Sequence, residues 1–399
     1  MPALANQPYQ AVRFRPLPVE RIAVTHVITS LATGGADMML ARLVRAMDQR
    51  RFSNSVISLC CGGAAADRIR AAGITVRLLG LDGGQRVRRF AELALELRRQ
   101  KPNLIQTWMY HADLLGGLAS VAVPGVPLLW NLRCGRLDPA IDKRSTIWIS
   151  RVCAALSRYF PARILSCSEA AREVHISVGY RAAKMLVIPN GFDTDEFRPD
   201  ATRRLNFRRE LGLPPDTLLI GSAARFNGAK DHATFFEAAG RVHQREPRVQ
   251  FVLCGQNVVP ENRQIEAWAA RAGVAGCCHL MGRRDDISRI LPALDIFVSS
   301  SFVEGFPNAL GEAMSCGVPC VSTDAGDSRR LVGERGFIVP VRDPAALAAA
   351  VLRMIDIGPE KRAALGALAR RRISECFEMA AVARQYEQVY EEMTAGCVE

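Results

Sequence analysis

The chain has 399 residues, 49% of them hydrophobic and 23% charged, with a formal net charge of +12. That composition belongs to a folded globular protein and excludes a low-complexity chain, while the length allows two domains of ordinary size. No apolar run reaches the ~20 residues that a membrane-spanning helix requires.

The charge is unevenly placed. Residues 1–190 hold 26 Lys and Arg against 12 Asp and Glu, a balance of +14, and residues 191–399 hold 26 against 28, a balance of −2. A basic half beside a near-neutral half suits an extended anionic partner, either a membrane surface or nucleic acid. Aromatic residues are only 7%, and no helix-turn-helix, zinc-finger or RNP pattern occurs, so nucleic acid is not expected. The twelve cysteines form no C-x-x-C pair, and several sit in apolar strand-like runs. Buried reduced thiols are therefore expected, and a zinc site at Cys277-Cys278-His279 is not.

In chain order, residues 1–20 lack the apolar core of a secretory signal and read as a tail, which suggests a cytoplasmic protein. Apolar, β-branched runs at 22–29, 55–59, 104–107, 128–132, 164–167 and 186–188 then alternate with helical patterns such as 38–47 and 90–99. This is the grammar of a parallel sheet covered on both faces. After the first strand comes Thr33-Gly34-Gly35-Ala36-Asp37, a shortened glycine loop without the dinucleotide-binding spacing. Gly34 and Gly35 would still let the backbone approach a phosphate or sugar closely. Tyr110-His111-Ala112-Asp113 follows another strand end, which makes His111 a candidate beside the glycines. Pro189-Asn190-Gly191-Phe192-Asp193 is a turn signal and marks the passage between domains.

The grammar restarts with strand runs at 218–223, 249–254, 278–281, 296–299, 320–323 and 337–339. The first of these ends in Ala223-Ala224-Arg225-Phe226-Asn227-Gly228-Ala229-Lys230-Asp231. Arg225 and Lys230 would bring two cations to one strand end, a fork and a point charge suited to a diphosphate. Arg283-Arg284 lies beyond the third run. The fourth leads into Glu304-Gly305-Phe306-Pro307-Asn308-Ala309-Leu310-Gly311-Glu312. Proline suits the first position of a helix, so a helix is expected to start at Pro307. The amides of Asn308, Ala309 and Leu310 would then form an anion site made of backbone alone. Glu304 and Glu312 would flank it, as carboxylates that grip sugar or ribose hydroxyls. The pattern over 376–393 predicts a last helix without a following strand, returning to the first domain.

The fold class that results is α/β, with two Rossmann-like doubly wound parallel-sheet domains facing across a cleft, over 1–190 and 191–375. Taken together, these motifs resemble glycosyltransferase family 4, retaining enzymes of the GT-B fold. The E-x7-E element is matched by Glu304 and Glu312, the Arg/Lys pair by Arg225 and Lys230, the early glycine loop by Gly34 and Gly35, and the crossover by the run 189–193. The resemblance implies that Glu304 contacts the transferred sugar and Glu312 the nucleotide ribose. It implies that Arg225 and Lys230 hold the diphosphate, with the loop 305–310 completing the donor site. It places Arg283 near the base, closes Gly34 and Gly35 over the donor, and sets His111 near the donor sugar and acceptor. One departure stands out: the family often has a glutamate four residues after the glycine of T-D-x-G, and here Arg330 occupies that place.

The expected activity is transfer of a sugar from a nucleotide-diphosphate donor to a saccharide or lipid-linked acceptor, with no cofactor and no metal. The basic first half is expected to bring the protein to the inner face of a membrane, through Arg86, Arg88, Arg89, Arg98, Arg99 and Lys101 around one helix. Leu93, Leu95 and Leu97 of that helix are expected to face the core. A sugar-nucleotide epimerase on the same fold, a phosphorylase, and a non-catalytic nucleotide-sugar or membrane-surface binder are the rival readings.

Overall fold

The computed structural model describes residues 21–395 other than 33, 84, 85 and 136; the expected tail over 1–20 and Thr33 of the glycine loop lie outside them. The described chain divides into two units. One runs through Gly191 and takes in the segment from Met379 onward, and the other is Phe192–Glu378. The boundary falls inside the Pro-Asn-Gly-Phe-Asp run. There the amide of Phe192 donates to the Phe377 carbonyl at 2.8 Å, so the two passing segments of chain are themselves paired.

The first unit holds a seven-stranded sheet in the order β3-β2-β1-β4-β5-β6-β7. Its strands are β1 Ile22–Ile28, β2 Phe52–Ser58, β3 Thr75–Leu78, β4 Leu104–Trp108, β5 Leu128–Leu132, β6 Arg163–Ser166 and β7 Met185–Val187. Every pairing is parallel, and β4 and β5 are buried along their whole length. Helices covering both faces explain why these strands read as continuous apolar runs. The sequence patterns did not reveal β3, a short edge strand with only one half-buried residue, Val76, and three exposed ones.

The second unit holds a six-stranded sheet in the order β10-β9-β8-β11-β12-β13, again parallel throughout. Its strands are β8 Leu219–Ala223, β9 Gln250–Cys254, β10 Cys278–Leu280, β11 Ile296–Ser299, β12 Cys320–Thr323 and β13 Gly336–Val339. The helix His232–Arg245 buries Phe235, Phe236, Ala239 and Val242 against this sheet, at the three- and four-residue spacing of one helical face.

The helix expected over 376–393 is present, starting three residues later, and a separate helix precedes it. Gly358–Cys376 ends the second unit, and Met379–Ala395 belongs to the first. Met379, Val382, Ala383, Tyr386, Val389 and Tyr390 recur at helical spacing and join the core that includes β1 and β4. On the helix Arg86–Gln100, Leu93 and Leu97 are fully buried but Leu95 is 63% exposed. Residues two apart on a helix point to nearly opposite sides, which corrects the expectation for Leu95.

Candidate functional site

In each sheet the strand order reverses direction once, between β1 and β4 in the first unit and between β8 and β11 in the second. Ligands of open α/β sheets bind at the carboxyl ends of the strands beside such a switch point. In the second unit the loops after β8 and β11 carry Arg225, Lys230 and Glu304.

These loops are tied together. Asn227 caps the turn Gly228–Lys230 by accepting from the Ala229 amide at 2.8 Å, and Asp231 opens the following helix with φ +45°. The amides of Phe302 and Val303 donate to the Ala229 carbonyl at 2.8 and 3.2 Å. Ser300 Oγ donates to the Lys230 carbonyl at 3.0 Å. Lys230 Nζ and Ser301 Oγ both reach Glu304 Oε1, at 2.5 and 2.7 Å. Two residues expected to grip different parts of a ligand thus hold each other in this structure.

A third loop braces the pair from β12. Thr323 Oγ1 donates to the Ser301 carbonyl at 2.6 Å. Gly326 has φ +57°, and a Cβ there would stand 2.6 Å from the Glu304 carbonyl oxygen. Both the left-handed backbone and the close approach demand glycine at that position. Ser300, Thr323 and Gly326 meet partners about 20 to 70 residues away along the chain, so their roles do not show in the sequence.

The helix after β11 is Asn308–Ser315, with Pro307 as its N-cap and not its first residue, since ψ 83° at Pro307 is not helical. Gly311 is the first residue whose amide donates back, to the Pro307 carbonyl at 3.2 Å. The helix's own backbone bonding thus begins at Gly311, and Asn308, Ala309 and Leu310 form its first turn. Phe306 is buried with its ring 6.1 Å from Phe192 and 5.9 Å from Phe377, which fixes the entry to the helix beside Gly305. Glu312 is half-buried in the helix's second turn. Arg225 is exposed and, among the described residues, has no hydrogen-bonded partner for its side chain. Arg284 is bound to Asp286 at 2.7 Å and Glu210 at 2.9 Å, while Arg283 is exposed and only 3.3 Å from Asp285. Arg283 is the more available of the two.

In the first unit the corresponding loops are sparser. Gly34 caps the helix Gly35–Ala46, and its amide donates to Asp37 Oδ2 at 2.9 Å. After β4, Met109 adopts φ +73° and the helix Tyr110–Ser120 begins, with half-buried His111 in its first turn. Burial, and then the nearby Lys143 charge, hold the His111 imidazole below its usual pKa, so it is neutral at pH 7. Beneath it, Thr107 Oγ1 donates to Asp113 Oδ1 at 2.5 Å, and complete burial raises the Asp113 carboxyl well above the usual range. Among the described residues no group of three His, Cys, Asp or Glu side chains is placed to hold a metal ion, and the described cysteines are free thiols.

Two family models match consecutive parts of the chain. "Glycosyltransferase Family 4" covers residues 33–196, and "Glycosyl transferases group 1" covers residues 215–356. The chain belongs to glycosyltransferase family 4. This family 4 transferase is 25% identical over 265 residues to the Escherichia coli UDP-Gal:alpha-D-GlcNAc-diphosphoundecaprenol alpha-1,3-galactosyltransferase, covering 65% of this chain and 68% of that one. It is 29% identical over 230 residues to the lipopolysaccharide core biosynthesis mannosyltransferase LpsB of Rhizobium meliloti, covering 55% and 65% of the two chains. Among solved structures it resembles HepE of Anabaena in complex with UDP and glucose, with a TM-score of 0.83, 22% identity, and 93% and 100% of the two chains covered. It also resembles sucrose-phosphate synthase of Thermosynechococcus elongatus, at a TM-score of 0.74, 18% identity, and 94% and 100% coverage. These likenesses show the GT-B fold of the transferase.

Proposed function

We propose that this transferase moves a hexosyl group from a nucleotide-diphosphate sugar to a saccharide or lipid-linked acceptor, with retention at the anomeric carbon and without a metal. The observation that supports the reading is the braced set of loops after β8, β11 and β12, in which Lys230 meets Glu304 shortly before the helix start at Asn308, with Arg225 on the same loop as Lys230. Names of relatives point the same way: HepE was solved with UDP and glucose, and the Escherichia coli enzyme uses UDP-galactose and a diphosphoundecaprenol acceptor.

In this reading Arg225, Lys230 and the amides of 308–310 receive the diphosphate. Glu304 holds hydroxyls of the transferred sugar, Glu312 those of the ribose, and Arg283 lies toward the base. In the first unit, Gly34 and Gly35 offer close backbone approach, and His111 an imidazole, to a sugar or phosphate group. As the bond between the anomeric carbon and the phosphate oxygen breaks, charge grows on the departing diphosphate. Fixed cations and amides there stabilise the transition state more than the bound donor. The acceptor oxygen bonds to the same face of the sugar, and its proton passes to the leaving phosphate. Lys230 would then share its charge between Glu304 and the diphosphate, and neutral His111 can accept a hydrogen bond from a hydroxyl.

The basic first half would attract the enzyme to the cytoplasmic face of an anionic membrane, where a lipid-linked acceptor resides. The test is transfer assayed across nucleotide sugars with a lipid-linked or saccharide acceptor. Product is expected to form in EDTA, and donor turnover to require the acceptor. Activity lost on chelation and restored by magnesium or manganese overturns the metal-free reading. Acceptor-independent conversion of the donor would favour an epimerase.

A further inference from the structure

The basic residues of the first unit are not equivalent. On Arg86–Gln100, Arg88 and Arg89 both pair with Glu92, at 3.3 and 3.0 Å, and Glu96 adds a second acid to the same helix. The helix Arg144–Leu156 has no acidic residue. Its buried positions are Ser150, Cys153 and Ala154, and Arg144, Trp148, Arg151 and Ala155 are exposed. Spaced four, three and four apart, these four form one outward stripe. The acids nearest in sequence, Asp138 and Asp142, lie in the preceding loop, where Asp142 Oδ2 accepts from the Asp138 amide at 2.8 Å.

The stripe runs on past the helix end to Arg158 and to Tyr159, which is 78% exposed. There Lys184 Nζ donates to the carbonyls of Arg158 and Pro161, both at 2.7 Å. Burial, then the charges of Arg181 and Arg163, push the Lys184 pKa down, as expected where cations crowd. Among the described residues none of Arg144, Arg151, Arg158, Arg163 and Arg181 has an acidic partner. Trp148 is 64% exposed, whereas Trp108 and Trp130 of the same unit are completely buried. Cations without counter-charges around an exposed indole and phenol are the composition of a lipid-headgroup interface. There the rings sit at headgroup depth and the arginines meet phosphate.

We infer that the outer face of Arg144–Leu156, with the basic turn behind it, is the surface that seats the enzyme on anionic lipid. The inference rests on the membrane reading above and names the face. No helix-turn-helix, zinc-finger or RNP pattern occurs in the chain, which disfavours nucleic acid as the occupant.

The experiment is co-sedimentation of the full chain with vesicles of phosphatidylcholine, alone or mixed with phosphatidylglycerol, together with tryptophan fluorescence. Wild type should bind only the anionic vesicles, with a blue shift that Trp148→Ala removes. Arg144→Ala with Arg151→Ala should weaken binding about 30-fold, from roughly 1 kcal/mol per charge at such a surface. The control pair Arg88→Ala with Arg98→Ala should leave binding within about threefold. Unchanged thermal melting and transfer to a saccharide acceptor show that each variant is folded. If the control pair abolishes binding and the stripe variants do not, this face is wrong while membrane docking stands. No binding to anionic vesicles by wild type overturns both. Loss of a dimer, or of RNA binding, in Trp148→Ala with vesicle binding intact would assign the face to that partner and refute the inference. Vesicle binding without any sugar transfer would fault the proposed reaction alone.

Discussion

The two units share an architecture but place their polar networks differently. In the second, side-chain hydrogen bonds gather at strand ends, where Ser300, Ser301 and Thr323 lock one loop to the next around Lys230 and Glu304. In the first, they run through the core. His26 sits between Trp108 and Asn54, Gln106 meets the Tyr390 hydroxyl, and Tyr386 meets Asn131 and Arg133. That network fastens Met379–Ala395 to the sheet. The same fold thus spends its polar groups in one unit on holding a ligand site and in the other on anchoring a returning segment. Damage to the two should therefore be read in different observables, turnover for one and stability for the other.

The largest effect expected is on turnover. Lys230→Ala should lower kcat about 100- to 1000-fold, the scale for losing one donor to a developing charge. Its melting temperature should fall modestly, by what about 1–3 kcal/mol takes from stability, because the mostly buried Glu304 loses its cation but keeps the Ser301 hydroxyl. Steady-state kinetics beside a thermal melt checks both halves. A variant that melts early but turns over normally would erase the contrast between the units.

The next effect is in stability and depends on pH. His26 Nδ1 accepts from Trp108 Nε1 at 3.2 Å, and its Nε2 donates to Asn54 Oδ1 at 3.0 Å. Both nitrogens are satisfied in the neutral ring, and a second proton would face the indole N–H. Burial lowers its pKa from 6.5 to about 4. The folded value lies below the unfolded one, so the unfolded chain takes up the proton first as pH falls. Stability from the neutral ring is complete above pH 6.5 and is lost toward pH 4, by about 3 kcal/mol. His232 in the second unit, pushed to about 4 chiefly by burial, adds a fall of the same sign. Asp113 works in the opposite sense, since its raised pKa costs stability as pH rises, and it cannot produce an acid decline. Calorimetry between pH 7 and pH 4 should show that decline, and His26→Gln should flatten part of it. An unchanged slope would mean that the ring is not held neutral.

Much of this was legible in the sequence, and the limits have physical causes. Fully buried strands such as Leu128–Leu132 and Cys320–Thr323 announce themselves as apolar runs, while β3, mostly exposed at an edge, does not. The residues from Glu304 to Glu312 lie in one short stretch, so their pattern survives without a structure. The bracing by Thr323 and Gly326 is long-range and could not be read. Leu95 was misplaced because an apolar residue within an apolar run was assumed to share its neighbours' face. The break at Phe377–Glu378 carries neither glycine nor proline, and it exists because Phe377 pairs with Phe192. Trp148 went unnoticed among Ile147, Ile149 and Val152, where only burial separates an outward ring from the core.

The smallest effect probes the first unit's network where it is most local. The Tyr386 hydroxyl accepts from Asn131 Nδ2 at 3.2 Å and from Arg133 Nη2, and its ring stacks on Trp108 at an interplanar angle of 11°. Tyr386→Phe keeps the ring and removes the acceptor. Arg133 retains Asn190 Oδ1 and the face of Trp108, 4.7 Å from its guanidinium carbon, so its charge is not stranded. One buried donor on Asn131 does lose its partner, which sets the expected cost at about 1–2 kcal/mol. For a unit of this size that is a fall of roughly 2–8 °C in melting temperature. Turnover should remain within about twofold, because the network touches no residue assigned to donor or acceptor. A loss of turnover at unchanged stability would mean that the anchoring of Met379–Ala395 also sets the chemistry, and the division between the two units would have to be given up.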